Sequence, residues 1–479
     1  MSSIKKNLGY QTMYQLLATA LPLLTTPYLS RVLGAEQVGV FSYTHSVVTY
    51  FSLFAMLGTI NYGTRSIADV RNDEKQCGKT FWGIFSLQMI ACLISLSAYG
   101  IYLFFFCKKN QFIALIQGIA LLSCLLDISW LYFGLEKFKI TVIRNTAIKL
   151  CSVALIFLLV RTREHLWIYT LLMTGSSMIG QFFLWKNLPE FCKRVKISPR
   201  DITQHIRPNI VLFIPLISVS VYHVMDKTML GILSSEAESG YYYCADKLIN
   251  IPISLINGIG TVLLPRISYL IRQGKGKDAD EFIKLSLEGV ILSSVALSFG
   301  IFSVADEFIP LFFGSEFTSS ILIAKVLAPV LIIKGVSNTI RTEYLVPYHW
   351  ESKYTASVIA GSVTNIIANC LLIPRFAGAG AAAGTLIAEA VSCGFQIAVI
   401  SKQLDLKKTL LNGLVYVLIG ACMVFCVRMV VSLCTNTIIS LLSGILSGAI
   451  IFIVLCCVFW KATGNSFIRK CLNRGSARN

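Results

Sequence analysis

Ionisable and amide side chains recur at helical spacing inside stretches otherwise built of Leu, Ile, Val and Phe, and any chemistry of this chain must lie there. Ser42, His45, Thr49 and Ser52 follow i, i+3/i+4 spacing and share one helix face. Asp246, Asn250, Ser254 and Asn257 do the same farther along, with Lys247 on the flank. Ser220, His223 and Lys227 form a third stripe beside Asp226, and Lys334, Asn338 and Arg341 a fourth. An ionisable group in hydrocarbon costs roughly 3 kcal/mol, so these stripes are expected to face a bundle interior or a water-filled cavity. The chemistry on offer is binding and ion coupling. Asp127, Asp226 and Asp246 are candidates for an ion-coupling role. Two bland readings stand beside it: Asp127 pairing with Lys149, and the Asp226-Lys227 and Asp246-Lys247 pairs neutralising one another across helices. For His45 and His223 the alternative is a satisfied structural imidazole, and for Glu389 a structural role.

Signatures of catalysis are thin. The five histidines form no HExxH and no close metal pair, so no metal and no cofactor are expected. Gly378-Ala379-Gly380-Ala381-Ala382-Ala383 matches a dinucleotide fingerprint only nominally: it opens an apolar helix, where small residues serve close packing. No G-x-x-x-x-G-K-[ST] phosphate loop occurs. The chain is read as a non-enzyme.

The elements that carry the stripes follow from composition. Of 479 residues 55% are hydrophobic and 14% charged, too few charges for the surface of a soluble protein of this length. Apolar runs long enough to cross a bilayer follow one another with short polar breaks, about fourteen in all. Their approximate extents are 8–30, 38–60, 81–105, 112–134, 140–160, 166–186, 209–232, 241–264, 283–305, 320–340, 354–373, 379–400, 411–433 and 438–460. Most cysteines lie inside these runs, as Cys124, Cys151, Cys370, Cys456 and Cys457 do, and read as small buried hydrophobes. Lys5-Lys6 followed by an apolar run and Ala18-Thr19-Ala20 mimics a signal peptide. Gln11, Thr12 and Gln15 ahead of that site, and the apolar run beyond it, favour a retained helix.

The net charge of +18 is mostly topology. With both termini inside, the cytoplasmic segments hold roughly 30 basic residues and the outer loops about 6. The inner set includes Arg65, Arg71, Lys75, Lys79, Lys193, Arg194, Arg272 and the tail Arg469 to Arg478; the outer loops carry Arg31, Lys108, Lys109 and Arg161 with acidic Glu236, Glu238, Asp306 and Glu316. Basic residues spread through loops rather than clustered on one face exclude a nucleic-acid partner.

An internal repeat sets the expected architecture. Leu33-Gly34 followed by Gly39-Val40-Phe41 returns as Leu230-Gly231 followed by Gly240-Tyr241-Tyr242, and the offset from Gly39 to Gly240 also carries Arg65 onto Arg266, His45 onto Asp246 and Thr49 onto Asn250. Six spans separate the copies, so the halves run parallel. The expected fold is an all-α polytopic membrane protein: two parallel pseudo-symmetric six-helix bundles, 1–205 and 206–405, around a central cavity, then two further helices and a basic cytoplasmic tail in 406–479. Pro22, Pro27 and Pro215 are expected to bend the first and seventh helices. Lys325 and Lys334 lie on opposite faces at roughly 100° per residue, which makes Lys334 the cavity candidate and Lys325 a side chain that snorkels to the interface.

Leu21-Pro22, Thr26-Pro27-Tyr28-Leu29-Ser30-Arg31-Val32-Leu33-Gly34, Gly39-Val40-Phe41-Ser42 and Asn61-Tyr62-Gly63-Thr64-Arg65-Ser66-Ile67-Ala68 resemble the start of the Wzx-type polysaccharide repeat-unit flippases, of the polysaccharide transporter family in the multidrug/oligosaccharidyl-lipid/polysaccharide exporter (MOP) superfamily. Asp226-Lys227-Thr228-Met229-Leu230-Gly231 and Leu263-Leu264-Pro265-Arg266-Ile267-Ser268 are similar to that family as well. The resemblance covers essentially the whole chain and is weakest in the last two helices. It implies export of undecaprenyl-diphosphate-linked oligosaccharide repeat units across the bacterial cytoplasmic membrane for capsule or O-antigen-type polymers. On that reading Lys227, Lys247 and Lys334 face the diphosphate, with Arg31 near the outer mouth and Arg65 and Arg341 near the inner one. His45, Thr49, His223, Asn250, Asn257 and Asn338 line the cavity or bind sugars. Membrane lipid and polysaccharide polymerase machinery are the further partners, and a monomer is expected.

Three alternatives stay open. A cation-coupled multidrug exporter calls for an aromatic, acidic cavity, against the excess of lysine here. A lipid-II flippase of the same superfamily obeys similar physics. A membrane glycosyl polymerase or ligase needs a large outer catalytic loop, and the outer loops are short. On the export reading, Lys227→Ala or Lys334→Ala is expected to abolish transport and spare folding.

Overall fold

The computed structural model describes residues 2–192 and 195–464; the side chains of residues 2–13, 15–16, 190, 214–216, 218–219, 221–223, 259 and 261–262 lie outside the description. Lys5, Lys6, Gln11, Thr12, Gln15, Pro215 and His223 are among those side chains, and Lys193, Arg194 and the tail Arg469 to Arg478 lie outside the described residues altogether.

Every regular element among the described residues is helical. Among the described residues nine helices, ten if the bent pair Glu236–Gly258 and Leu263–Arg272 is one span, are long and apolar enough to cross a membrane by length and composition. Two runs hold two expected segments each. Ser2–Met56 breaks at Gly34, whose φ of 75° is open to glycine, and Glu351–Ile400 breaks at Ala377. Divided there, the helices supply one run for each of the fourteen expected segments. The apolar faces look outward where lipid would lie: Leu418, Phe425, Leu446 and Ile450 are all more than 60% exposed, which in water would be untenable.

Two further spans are interrupted among the described residues, and in each, side chains of neighbouring helices bond freed backbone carbonyls within the protein, as a membrane interior requires. The span 111–134 is built of Gln111–Gln117, Ile119–Leu125 and Ser129–Gly134. At its second break Gln88 Nε2 donates to the carbonyls of Cys124 and Asp127, Trp185 Nε1 donates to that of Leu126, and Asp127 Oδ1 accepts from Ser129 N. Trp130 Nε1 donates to Gln88 Oε1, and both side chains are fully buried. In the span 319–345, Ser298 Oγ donates to the Ala328 carbonyl at the turn before Pro329, and the span closes in a π-helix over Ile340–Leu345.

The chain forms two compact units, Met1–Tyr243 and Cys244–Asn479. The helix Ile206–Leu233 belongs to the first because it packs on Ser2–Met56, where Thr228 Oγ1 donates to Ser46 Oγ at 2.9 Å. Compactness thus divides the chain one helix and the first eight residues of the next beyond residue 205, the end of the first expected bundle. The first unit centres on Phe81, Ile84, Trp130, Leu131 and Tyr132, the second on Ile283, Leu287, Val295, Tyr416 and Val427. The last two helices are bound into the second unit by Glu288, which accepts from Asn412 Nδ2 and Tyr416 Oη, both at 2.9 Å; Trp460 Nε1 donates to the same Tyr416 hydroxyl.

The repeat motif has a packing meaning inside the first unit. A Cβ on Gly39 would lie 1.6 Å from the Glu236 carbonyl oxygen, and one on Gly240 would lie 2.1 Å from that of Ala35. The two copies of the motif cross one another, each glycine admitting the other segment's backbone.

Candidate functional site

In the first unit, His45 is exposed and its ring stacks on Phe41 with centroids 5.5 Å apart, while Thr49 Oγ1 donates to the His45 carbonyl. Asp226 is 5% exposed and accepts a 2.6 Å hydrogen bond from Tyr242 Oη. Next to it the Lys227 ammonium lies over the Tyr243 ring, 5.6 Å from its centroid, a cation–π contact available only because Ile206–Leu233 and the start of the following helix lie side by side. Arg31 and Arg65 are exposed, Arg65 in the short helix Thr59–Val70. Asp127 Oδ1 accepts from Ser129 N at the start of the helix Ser129–Gly134, whereas Lys149 sits over the Tyr14 ring at 4.9 Å.

In the second unit, Asp246 Oδ1 accepts from Asn250 Nδ2 one turn on, and Lys247 is half-buried beside them. Asn338 Nδ2 donates to Asn257 Oδ1 at 2.9 Å, so two of the expected stripes do meet. Lys334 Nζ lies 3.2 Å from Glu389 Oε1, with side chains 12% and 8% exposed. Arg341 lies over the Tyr354 ring at 5.4 Å. Lys325 is paired within the unit: its ammonium bonds both oxygens of Asp306 at 2.8 Å, and Arg428 bridges Asp306 to Glu307.

Sequence reasoning passed over several polar groups. Arg144 donates to Asn145 Oδ1, Gln181 Oε1 and the Gly180 carbonyl, fastening helix Phe138–Leu159 to Leu166–Phe191. Its only signal was an arginine with a neighbouring asparagine in an apolar run. Glu343, fully buried and bonded by Ser286 Oγ at 2.7 Å, gave no periodic signal at all.

Ahead of helix Ile206–Leu233, His205 is 6% exposed with Nδ1 2.7 Å from the Tyr62 hydroxyl. Burial pushes its pKa below the ordinary imidazole value, with the Asp201 carboxylate pulling the other way. The neutral ring is therefore favoured in the folded state. Its stabilising contribution is complete above the unfolded pKa of about 6.5 and is lost as pH falls through the depressed folded value. Melting in detergent from about pH 7.5 down to about pH 5 should lose less stability in His205→Asn than in the parent; parallel curves would take His205 out of the acid response.

Long apolar helices broken at defined points, polar stripes within them and interior ion pairs define a class: a multi-pass helical membrane protein with a transporter fold. The lipid II flippase MurJ, in an inward closed conformation, shares the fold with a TM-score of 0.77 over 94% of this chain and 99% of that one, at 14% identity. An inward-facing multidrug resistance MATE family transporter of the MOP superfamily aligns with a TM-score of 0.57 over 82% and 99%, at 12% identity. The polysaccharide biosynthesis protein family matches residues 4–271, and the chain belongs to that family. Among its relatives, a protein described as "Putative O-antigen transporter" in Escherichia coli (strain K12) is 22% identical over 391 residues, 81% of this chain and 94% of that one. A "Probable low-salt glycan biosynthesis flippase" of Haloferax volcanii is 26% identical over 171 residues, 36% of each chain. The family resemblance read from the N-terminal motifs is borne out.

Proposed function

We propose that this protein exports undecaprenyl-diphosphate-linked oligosaccharide repeat units across the bacterial cytoplasmic membrane, by alternating access, for capsule or O-antigen-type polysaccharide. The observation that carries the reading is family membership over residues 4–271, joined to an alignment that spans 94% of the E. coli relative.

The physical problem is moving a dianionic, hydrated headgroup through hydrocarbon, where unaided passage is prohibitive. Lys227, Lys247 and Lys334 are cations held inside otherwise apolar helices, and they would replace part of the hydration lost by the diphosphate, with Arg31, Arg65 and Arg341 at the mouths. Lys334 is paired with Glu389, so turning its charge to the headgroup would require Glu389 to take up a proton or another cation rather than stay buried as a bare carboxylate. Asn250, Asn257, Asn338, Thr49, His45 and His223 would hydrogen-bond sugar hydroxyls. Asp127, Asp226 and Asp246 would serve ion coupling; of these Asp226, buried under Tyr242, is the best shielded. In the second unit an apolar cavity of about 450 Å³, lined by Leu297, Ile301, Phe308, Met423, Phe452 and Ile453, offers room for part of the polyprenyl tail. The six-helix bundles 1–205 and 206–405, the appended helices 406–479, cytoplasmic termini, a monomer and contact with polymerase machinery complete the proposal.

Deleting the protein should leave lipid-linked oligosaccharide in the inner leaflet, protected from an impermeant glycosidase, with surface polymer lost. Unchanged leaflet distribution with altered drug sensitivity would overturn the reading in favour of a multidrug exporter.

A further inference from the structure

Beside the crossing of Gly39 and Gly240, the first unit carries a small open cleft of about 230 Å³ lined by Gln37, Asn110, Phe112, Arg163, Glu164 and Trp167, with buried Ile113 and Leu166 as its floor. Three segments meet there: the start of the run after Gly34, the turn before helix Gln111–Gln117, and the turn Arg163–His165 ahead of Leu166–Phe191. All three are outer segments by the distribution of basic residues. We propose that this cleft is a sugar-binding subsite that takes one pyranose ring of the exported glycan on the outer face. It deepens the export reading above and rests on it.

The chemistry of the lining selects the ligand. A pyranose has an apolar C–H face and a rim of hydroxyls that both donate and accept. Trp167, 42% exposed, offers a flat aromatic surface to the first. Gln37 presents a donor and an acceptor, Asn110 its Oδ1 acceptor, Arg163 donors and Glu164 acceptors to the second. The cleft is prepared for this before anything binds. Asn110, held at φ 59°, donates from Nδ2 to Glu236, and Glu236 is fixed in turn by Lys109 Nζ at 2.9 Å, so the Asn110 carbonyl oxygen is locked in place. Size narrows the choice further. At about 230 Å³ the cleft lies below the ordinary range for drug-sized ligands, which begins near 300 Å³, and so suits one ring of a repeat unit rather than the whole glycan. A tryptophan near a membrane surface commonly anchors in the headgroup layer. One that shares a cleft with four hydrogen-bonding side chains is placed for a polar ligand instead.

The test uses full-length protein in nanodiscs and, as probe, the water-soluble oligosaccharide freed by mild acid from the host's own lipid-linked pool. Saturation-transfer NMR should show contact concentrated on the C–H protons of one ring. Trp167→Ala should weaken binding about tenfold and Trp167→Phe much less, as loss and partial retention of an aromatic contact require. Gln37→Ala, which leaves the aromatic surface intact, should weaken it about threefold and keeps the test decisive if Trp167→Ala fails to fold. No transfer to the parent protein, or transfer unchanged in the variants that fold, would overturn the subsite. The leaflet assay above judges export separately: inner-leaflet accumulation in the deletion strain with no effect of these variants on binding removes only the subsite.

Discussion

Gly240→Val should leave almost no folded protein. The valine Cβ would fall 2.1 Å from the Ala35 carbonyl oxygen and 3.0 Å from Gly39 N, both backbone atoms of a helix that cannot swing aside as a side chain can. Overpacking usually costs about 1–3 kcal/mol, and a backbone-to-backbone clash belongs above that range. Gly39→Val meets the Glu236 carbonyl at 1.6 Å and should behave alike. Gly394 also lies in a helix but has open space where its Cβ would sit, so Gly394→Ala should melt at or slightly above the parent temperature. Size-exclusion profiles and thermal melting in detergent read the three together. If Gly240→Val melts with the parent, the two copies of the motif do not cross as described.

The second large effect concerns Lys334. The sequence reading expects Lys334→Ala to abolish export and spare folding, but the ion pair with Glu389 changes the first experiment to make. Removing the lysine alone strands a carboxylate that is 8% exposed, and breaking a buried pair from one side costs about 3–5 kcal/mol. Lys334→Met should therefore lower the melting temperature sharply. Lys334→Met with Glu389→Gln should restore most of it, because no uncompensated charge remains. Export separates structure from function. If Lys334 receives the diphosphate, the double variant folds and exports less than about a tenth of the parent amount, the loss expected for one charge-assisted contact. A double variant that both folds and exports normally would confine Lys334 to a structural role.

Burial explains which features could be read in advance. Apolar runs, basic loops and the 201-residue offset joining Gly39 to Gly240 are one-dimensional signals, because lipid imposes length and hydropathy on each span separately. So the fold class, the family and the polar stripes were legible. Partners were not. Glu389 stands 55 residues from Lys334 and Asp306 19 from Lys325, and helical periodicity assigns a face without saying which helix will cover it. The pairing of Lys325 with Asp306 was illegible for that reason. Arg144 and Glu288 were passed over for the same reason: their partners, Gly180 and Gln181 for the one and Asn412 and Tyr416 for the other, stand on helices that periodicity does not name.

By itself the sequence determined that this chain is helical, spans a membrane many times, is built on a repeat and belongs with polysaccharide exporters, since these follow from composition, periodicity and motif. Only the tertiary structure decided that the repeated glycines cross one another, that Lys334 is neutralised by Glu389, and that Gln37, Asn110 and Trp167 share a cleft. Each of these depends on distances between helices remote in sequence, and packing and pairing across such distances are settled by the fold as a whole.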